Sequence, residues 1–206
     1  MKIARFFIPL FLLLAQMVSG QSIQYTPEGM VGNRSYFYTH TINYQINEKV
    51  KLQNLVVFDT EYKGDNHNIF FIRNTIAYQF ASNFTFNTAV GMKNPGKFAT
   101  GSVQYTVKNK DLLFSYSVGA TYQRGWTLEQ SLLVEYTPKI NEEYNALIRL
   151  SAVGNVNTEE YTRGFQQIRI GVKKDKVSFG LAINLDQFNT SWDHLENYGV
   201  FGKFNF

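Results

Sequence analysis

YGVFGKFNF, residues 198–206, has the two-residue alternation of an extended strand. The residues at even positions lie on one face of this strand: Tyr198, Val200, Gly202, Phe204 and Phe206. The residues at odd positions lie on the other face: Gly199, Phe201, Lys203 and Asn205. The first face is suited to lipid and the second mostly to water. The stretch predicts an amphipathic strand, although an edge strand of a soluble sheet can show the same pattern.

The same alternation returns through the chain, which makes the fold all-β. It predicts eleven strands, at residues 35–46, 50–59, 68–80, 84–93, 98–108, 112–122, 127–137, 144–154, 165–173, 177–186 and 198–206. Residues 22–26 predict a short twelfth strand, and residues 27–34 supply turn residues after it. The strands approach the ~9–11 residues that cross a bilayer at a tilt, whereas strands of soluble sheets average ~5–6 residues.

The connections predict an up-and-down topology. Mostly tight turns at residues 47–49, 81–83, 109–111, 138–143 and 174–176 alternate with links that include longer loops at residues 61–67, 155–164 and 187–197. An even number of strands brings both chain ends to the same side. Twelve strands satisfy this condition, and ten is the alternative if one strand is misassigned.

Charged residues test the pattern independently. When the apolar face of each strand is fixed first, every charge within the strands falls on the other face: Lys51, Asp59, Arg73, Lys93, Lys108, Glu129, Glu135, Arg149, Arg169, Lys173, Asp186 and Lys203. A soluble sandwich or lipocalin-like barrel also segregates charge, but it buries its apolar face and needs fewer large apolar residues outside. In this chain, aromatic residues gather near both ends of the strands.

These features resemble the small outer-membrane β-barrels of Gram-negative bacteria, which have aromatic girdles at both membrane interfaces. The resemblance implies a transmembrane antiparallel up-and-down barrel in the outer membrane. It also implies that Tyr198, Phe204 and Phe206 form an assembly signal, so the expected partners are outer-membrane lipid and the barrel assembly machinery. No short motif identifies a subfamily.

The first twenty residues have the composition of a secretory signal peptide. A cationic start with Lys2 and Arg5 precedes an apolar run, and small or compact residues follow. The predicted organisation is a signal peptide at residues 1–20 and a barrel domain at residues 21–206. Without residues 1–20, which include Lys2 and Arg5, the formal net charge falls from +4 to +2, which is too mild to indicate nucleic acid. The chain has no cysteine. No cofactor or metal is expected.

The lumen is the predicted location of function. The candidate lumenal, solute-binding residues are Lys51, Arg73, Glu129, Glu135, Arg149, Arg169 and Lys203. A positive excess in the lumen favours a channel for small polar or anionic solutes. The alternative is a non-conducting barrel, filled by paired charges, that acts as a structural or assembly partner. A lipid enzyme is a third hypothesis. No enzymatic activity is expected, because His40, His67 and His194 lie near no evident nucleophile.

Arg149 and Arg169 are the most specific candidates. They are predicted to face each other across one hairpin, where two like charges need a negative neighbour. Either Glu129 or Glu135 supplies that charge, or a passing anion does. The positive excess favours the anion, which makes the pair a predicted selectivity element.

Overall fold

A computed structural model describes residues 22–64, 68–94, 96–158, 161–188 and 194–206. The predicted signal peptide and His67 lie outside these ranges. The twelve strands are β1 (Ile23–Gly32), β2 (Ser35–Gln45), β3 (Val50–Glu61), β4 (Ile69–Ala81), β5 (Phe84–Lys93), β6 (Gly96–Lys108), β7 (Leu112–Tyr122), β8 (Trp126–Tyr136), β9 (Asn145–Val156), β10 (Tyr161–Lys174), β11 (Val177–Phe188) and β12 (His194–Phe204).

The strands close into one antiparallel barrel. Each strand pairs with its neighbours in sequence, and β1 pairs with β12 to complete the ring. The predicted twelve-stranded up-and-down barrel is therefore confirmed. Closure satisfies the backbone of every strand internally, as a sheet in a bilayer requires. Within the described ranges, no helix has the length and apolar character needed to cross a membrane.

The N-terminal strand is longer than predicted. The sequence PEG at residues 27–29 predicts a turn, but β1 continues through it to Gly32, and only residues 33–34 connect it to β2. Pro27 is tolerated because the register between β1 and β12 begins at Glu28. Proline cannot donate a ladder hydrogen bond, so it fits where pairing is interrupted. The turn prediction was wrong, and Glu28 becomes a mid-strand residue.

The two faces of the wall differ as predicted. The outer face exposes large apolar residues such as Ile76, Leu181 and Val200, whereas buried polar residues such as Asn184 and Arg169 face the lumen. All twelve charged residues that the sequence assigned to the lumenal face lie on the same face of their strands as these buried residues, as the alternation of positions requires. The extra length of β6, β10 and β12 places further charges on the outer face near strand ends, at Lys97, Lys174 and Glu196.

Aromatic side chains line both ends of the outer face. We call the end that carries Phe206 the terminal end and the other the far end. At the terminal end, the Phe206 ring centroid lies 6.0 Å from that of Tyr25 and 6.1 Å from that of Phe204. At the far end, Tyr122 lies 5.2 Å from Trp126. These contacts are typical of interfacial aromatic girdles.

The predicted contrast between short turns and long loops is wrong. Connections at the terminal end span residues 46–49, 82–83, 109–111, 137–144 and 175–176, and those at the far end span residues 33–34, 62–68, 94–95, 123–125, 157–160 and 189–193. The longest therefore lies at the terminal end. Two of the three predicted far-end loops are shorter than predicted, because β10 and β12 begin inside them, and the third keeps its length at residues 62–68.

Three terminal-end turns share one device, an asparagine side chain that accepts two backbone hydrogen bonds. The Oδ1 atoms of Asn47, Asn109 and Asn141 each accept from the amides two and three residues later, at 2.7–3.1 Å. Such side chains replace backbone pairing where a strand reverses.

Candidate functional site

A single carboxylate lies at the centre of the lumen. Glu28 on β1 accepts a hydrogen bond from Arg169 Nε at 2.7 Å through Oε1, and one from Arg149 Nη2 through Oε2. Arg149 and Arg169 face each other across β9 and β10, which confirms the predicted pairing. The carboxylate that contacts both arginines is Glu28, however. Glu135 lies directly opposite Arg149 across β8 and β9, and its ion pair is with Lys203. We call Glu28, Arg149 and Arg169 the central clamp.

Apolar and aromatic side chains enclose the clamp. The guanidinium carbon of Arg169 lies 5.8 Å from the Phe37 ring centroid and 5.6 Å from that of Phe201, and Arg169 is 0% exposed. The surrounding buried cluster consists of Met30, Phe37, Leu147, Ala182 and Phe201. Stacking and multiple hydrogen bonds offset the cost of burying these charges. This half of the lumen, along β1, β2 and β9–β12, is filled by side chains.

In the far half of the lumen, positive and negative charges are paired. Arg34 donates to Asp59 and Glu61, at 2.8 Å each, and Arg163 donates to Asp186 at 2.6 and 3.0 Å.

The predicted residues Arg73 and Glu129 form another far-half pair. Arg73 Nη2 donates to Glu129 Oε1 at 2.7 Å, and the Thr121 hydroxyl donates to the other oxygen at 3.1 Å. The ammonium of Lys93 lies 5.2 Å from the Phe98 ring centroid. The local charges nearly balance.

The terminal half is different, because lysines dominate it. Lys51, Lys108, Lys173 and Lys203 lie on the lumenal face there with the carboxylate of Glu135, and Lys203 also lies directly opposite Glu28 of the central clamp. Lys203 Nζ lies 3.5 Å from Glu135 Oε2. Among the described residues, Lys51, Lys108 and Lys173 have no ion pair. The positive excess predicted for the lumen is therefore concentrated in its terminal half.

Short polar side chains line much of the lumen along β4–β8, opposite the filled half. Toward the far end, the lumenal rings of Phe71 and Phe98 stack on this side, with centroids 5.4 Å apart. The polar side chains hydrogen-bond to one another along the wall: Gln104 accepts from Asn87 at 3.0 Å and donates to Ser115 at 2.7 Å, and the hydroxyls of Thr100 and Thr121 are 2.7 Å apart. Ser102, Ser117 and Ser131 continue this lining. Because these side chains are short and bound to the wall, they reach less far into the lumen than the aromatic residues opposite.

Two of the histidines lie on the outer face. His40 Nδ1 is 3.1 Å from the Tyr38 hydroxyl, which in turn is 3.0 Å from the Tyr25 hydroxyl. His194 Nε2 is 2.5 Å from Glu196 Oε1 at the far end. No group of three or more histidine or acidic side chains in the described ranges could hold a metal ion.

The three residues predicted as an assembly signal lie on the outer face at β12 and beyond. Phe206 extends the pairing between β1 and β12 past the end of β12, because its amide donates a hydrogen bond to the Tyr25 carbonyl at 2.9 Å. Tyr198 and Phe204 are exposed on the same face. The terminal strand therefore completes the barrel, and its role in assembly stays a prediction.

Sequence reasoning missed Glu28, Arg34 and Arg163. Glu28 was assigned to a turn and the other two to connections. The alternation of Thr26, Glu28 and Met30 with apolar neighbours was a usable signal, but the PEG sequence masked it. Arg163 lies on the same lumenal face of β10 as Arg169, six residues earlier, within the segment that the sequence predicts as a loop.

Similarity to known proteins lies in the fold. The chain matches no family model and none of the curated proteins with which it was compared. Among solved structures it is similar to the NanC porin, with TM-score 0.55 and 10% identity over 89% of this chain and 98% of that one. The chain has the fold of outer-membrane porins and channels. It is also similar to the KdgM porin in complex with disordered oligogalacturonate (TM-score 0.53, 13% identity, 89% and 99% coverage) and to an outer membrane channel from Pseudomonas putida F1 (0.50, 10%, 91% and 96%).

Proposed function

We propose that this protein is an outer-membrane channel that passes small polar or anionic solutes along the β4–β8 side of its lumen. The observation that carries the proposal is the terminal half of the lumen, where Lys51, Lys108 and Lys173 have no acidic partner in the described structure. The short polar lining of β4–β8 supplies the adjoining space. The terminal end faces the periplasm in this proposal, and the outer wall contacts outer-membrane lipid.

Anions are the favoured solutes because of electrostatics. Ammonium groups within a low-dielectric wall focus a positive potential in the pathway, which raises the local concentration of anions. The paired charges of the far half contribute little net field. The KdgM porin was solved with oligogalacturonate, an acidic oligosaccharide, which supports the same class of solute for this fold.

The structure changes which residues we assign to selectivity. Arg149 and Arg169 are occupied by Glu28 and enclosed by the buried cluster. They support the wall of the pathway instead of binding the solute. The lysines of the terminal half replace them as the proposed selectivity residues.

The test is recording of single channels from the refolded protein in planar bilayers, with reversal potentials measured in asymmetric salt. Lys51→Gln with Lys173→Gln should shift the reversal potential toward that of a cation-selective pore. Lys97→Gln with Lys174→Gln is the matched control, because it also removes two positive charges, from the outer face of β6 and β10. A silent wild-type protein would refute the channel, and equal shifts in the two variants would refute the selectivity assignment.

The second candidate is a non-conducting barrel that acts as a structural or assembly partner through its connections. The buried cluster around Arg169 favours it, because this cluster fills one half of the lumen. Steady conductance of the wild-type protein would exclude this alternative. We propose no enzymatic chemistry. The third hypothesis, a lipid enzyme, is not favoured, because the hydroxyl that contacts His40 Nδ1 is the phenol of Tyr38, at 3.1 Å, and not a serine. The barrel assembly machinery remains the proposed partner for insertion.

A further inference from the structure

The outer face carries polar side chains where hydrocarbon is expected. Four adjacent strands each place one near the strand midpoint: His40 on β2, Asn54 on β3, Asn74 on β4 and Thr88 on β5. The corresponding positions on β9–β12 are aliphatic: Leu150, Ile168, Ile183 and Val200. The two sides of the wall therefore differ at the same depth of the membrane.

Asn54 and Asn74 face each other directly across β3 and β4. Asn54 Nδ2 donates to Asn74 Oδ1 at 2.9 Å, on the exposed side of the wall. A carboxamide has two N–H donors and an oxygen that accepts two hydrogen bonds. After this bond, the Asn54 oxygen, its second N–H and both N–H groups of Asn74 remain for an external partner. Hydrocarbon offers them none, and leaving such groups unsatisfied is costly.

The surroundings of the pair resemble a packing surface more than a lipid-facing one. A groove on the outer wall is lined by the two asparagines and Thr88 and by apolar residues, among them Ile42, Tyr44, Leu52, Ile76 and Val90. Beside it, Thr88 pairs with Gly101, and a Cβ atom added at Gly101 would meet nothing within 4 Å. Small residues that permit close approach, combined with polar residues that hydrogen-bond across, are typical of contacts between proteins in membranes.

We propose that Asn54, Asn74, Thr88 and Gly101, the midplane patch, form the contact with a second copy of this chain in the membrane. The occupant follows from the chemistry of the patch, which presents carboxamide donors and an acceptor together. A two-fold axis sets such a surface against itself, so that donors of one copy meet the acceptor of the other. The inference does not depend on whether the lumen conducts.

Disulfide crosslinking tests the proposal cleanly, because the chain contains no cysteine. Thr88→Cys is placed in the patch, and Leu181→Cys on the exposed aliphatic wall of β11 is the matched control. Each variant is refolded into phosphatidylcholine vesicles at high lipid excess and oxidised. Thr88→Cys should yield a covalent dimer and Leu181→Cys should stay monomeric.

A second variant set tests the hydrogen bonds themselves. Asn54→Leu with Asn74→Leu, added to Thr88→Cys, should reduce the dimer yield by roughly tenfold, as expected for the loss of two intramembrane hydrogen bonds. The same double variant without cysteine, measured by sedimentation equilibrium in detergent, should be monomeric where the wild type is dimeric. Equal crosslinking at the two cysteine positions, a monomeric wild type, or a dimer unaffected by the leucines would overturn the proposal.

Discussion

Removing the charge of Glu28 should destabilise the barrel strongly. Glu28→Gln keeps the size of the side chain but removes the charge of the carboxylate that both Arg149 and Arg169 contact. Glu28 is 3% exposed and Arg169 is 0% exposed, so water cannot replace the lost interaction. Breaking a buried ion pair in this way costs about 3–5 kcal/mol of unfolding free energy.

The matched control is Glu135→Gln, which removes the same charge from the lumen. Glu135 contacts Lys203 at 3.5 Å, and its side chain is 22% exposed. A partly hydrated pair with one long contact contributes about 1 kcal/mol or less. The two variants should therefore differ by at least about 2 kcal/mol, which is a factor of about 30 in the unfolding equilibrium.

Urea unfolding in lipid vesicles measures both variants. Fluorescence from Trp126, which is exposed on the outer wall, reports insertion, and the midpoint should fall for Glu28→Gln with an unchanged slope. Adding Arg149→Gln and Arg169→Gln to Glu28→Gln should recover part of the loss, because the unpaired charges are then removed. A Glu28→Gln variant as stable as Glu135→Gln would show that the clamp is not structural.

Two further predictions concern membrane insertion. The refolded protein should migrate faster unheated than boiled on a denaturing gel, because a closed hydrogen-bonded barrel resists detergent; a single heat-independent band would contradict a stable barrel. Deletion of Phe206 should lower the amount of protein in the outer membrane while leaving the stability of the inserted protein nearly unchanged, since the burial lost is only ~2 kcal/mol. Unchanged membrane levels of the truncated protein in a fractionation assay would remove its assigned role in assembly.

The lumenal site was only partly predictable from the sequence. The alternation of apolar and polar residues predicted that Arg149 and Arg169 face each other, because this alternation in its two strands sets the register of a hairpin. The partner of this pair lies on β1, 121 and 141 residues away along the chain from the two arginines. No local pattern specifies which strands meet across a lumen, so the choice between Glu28, Glu129, Glu135 and an anion was beyond sequence reasoning.

The sequence by itself determined the barrel, a strand number of twelve with ten as the alternative, and the lumenal side for the twelve charges within the predicted strands. These properties follow from a period of two that only extended backbone produces, and from the need of a bilayer-spanning sheet to close. Only the tertiary structure decided which charges pair, which half of the lumen is filled and where lysines remain without acidic partners. Those outcomes depend on contacts across the closed barrel, where side chains from distant strands compete for one enclosed space.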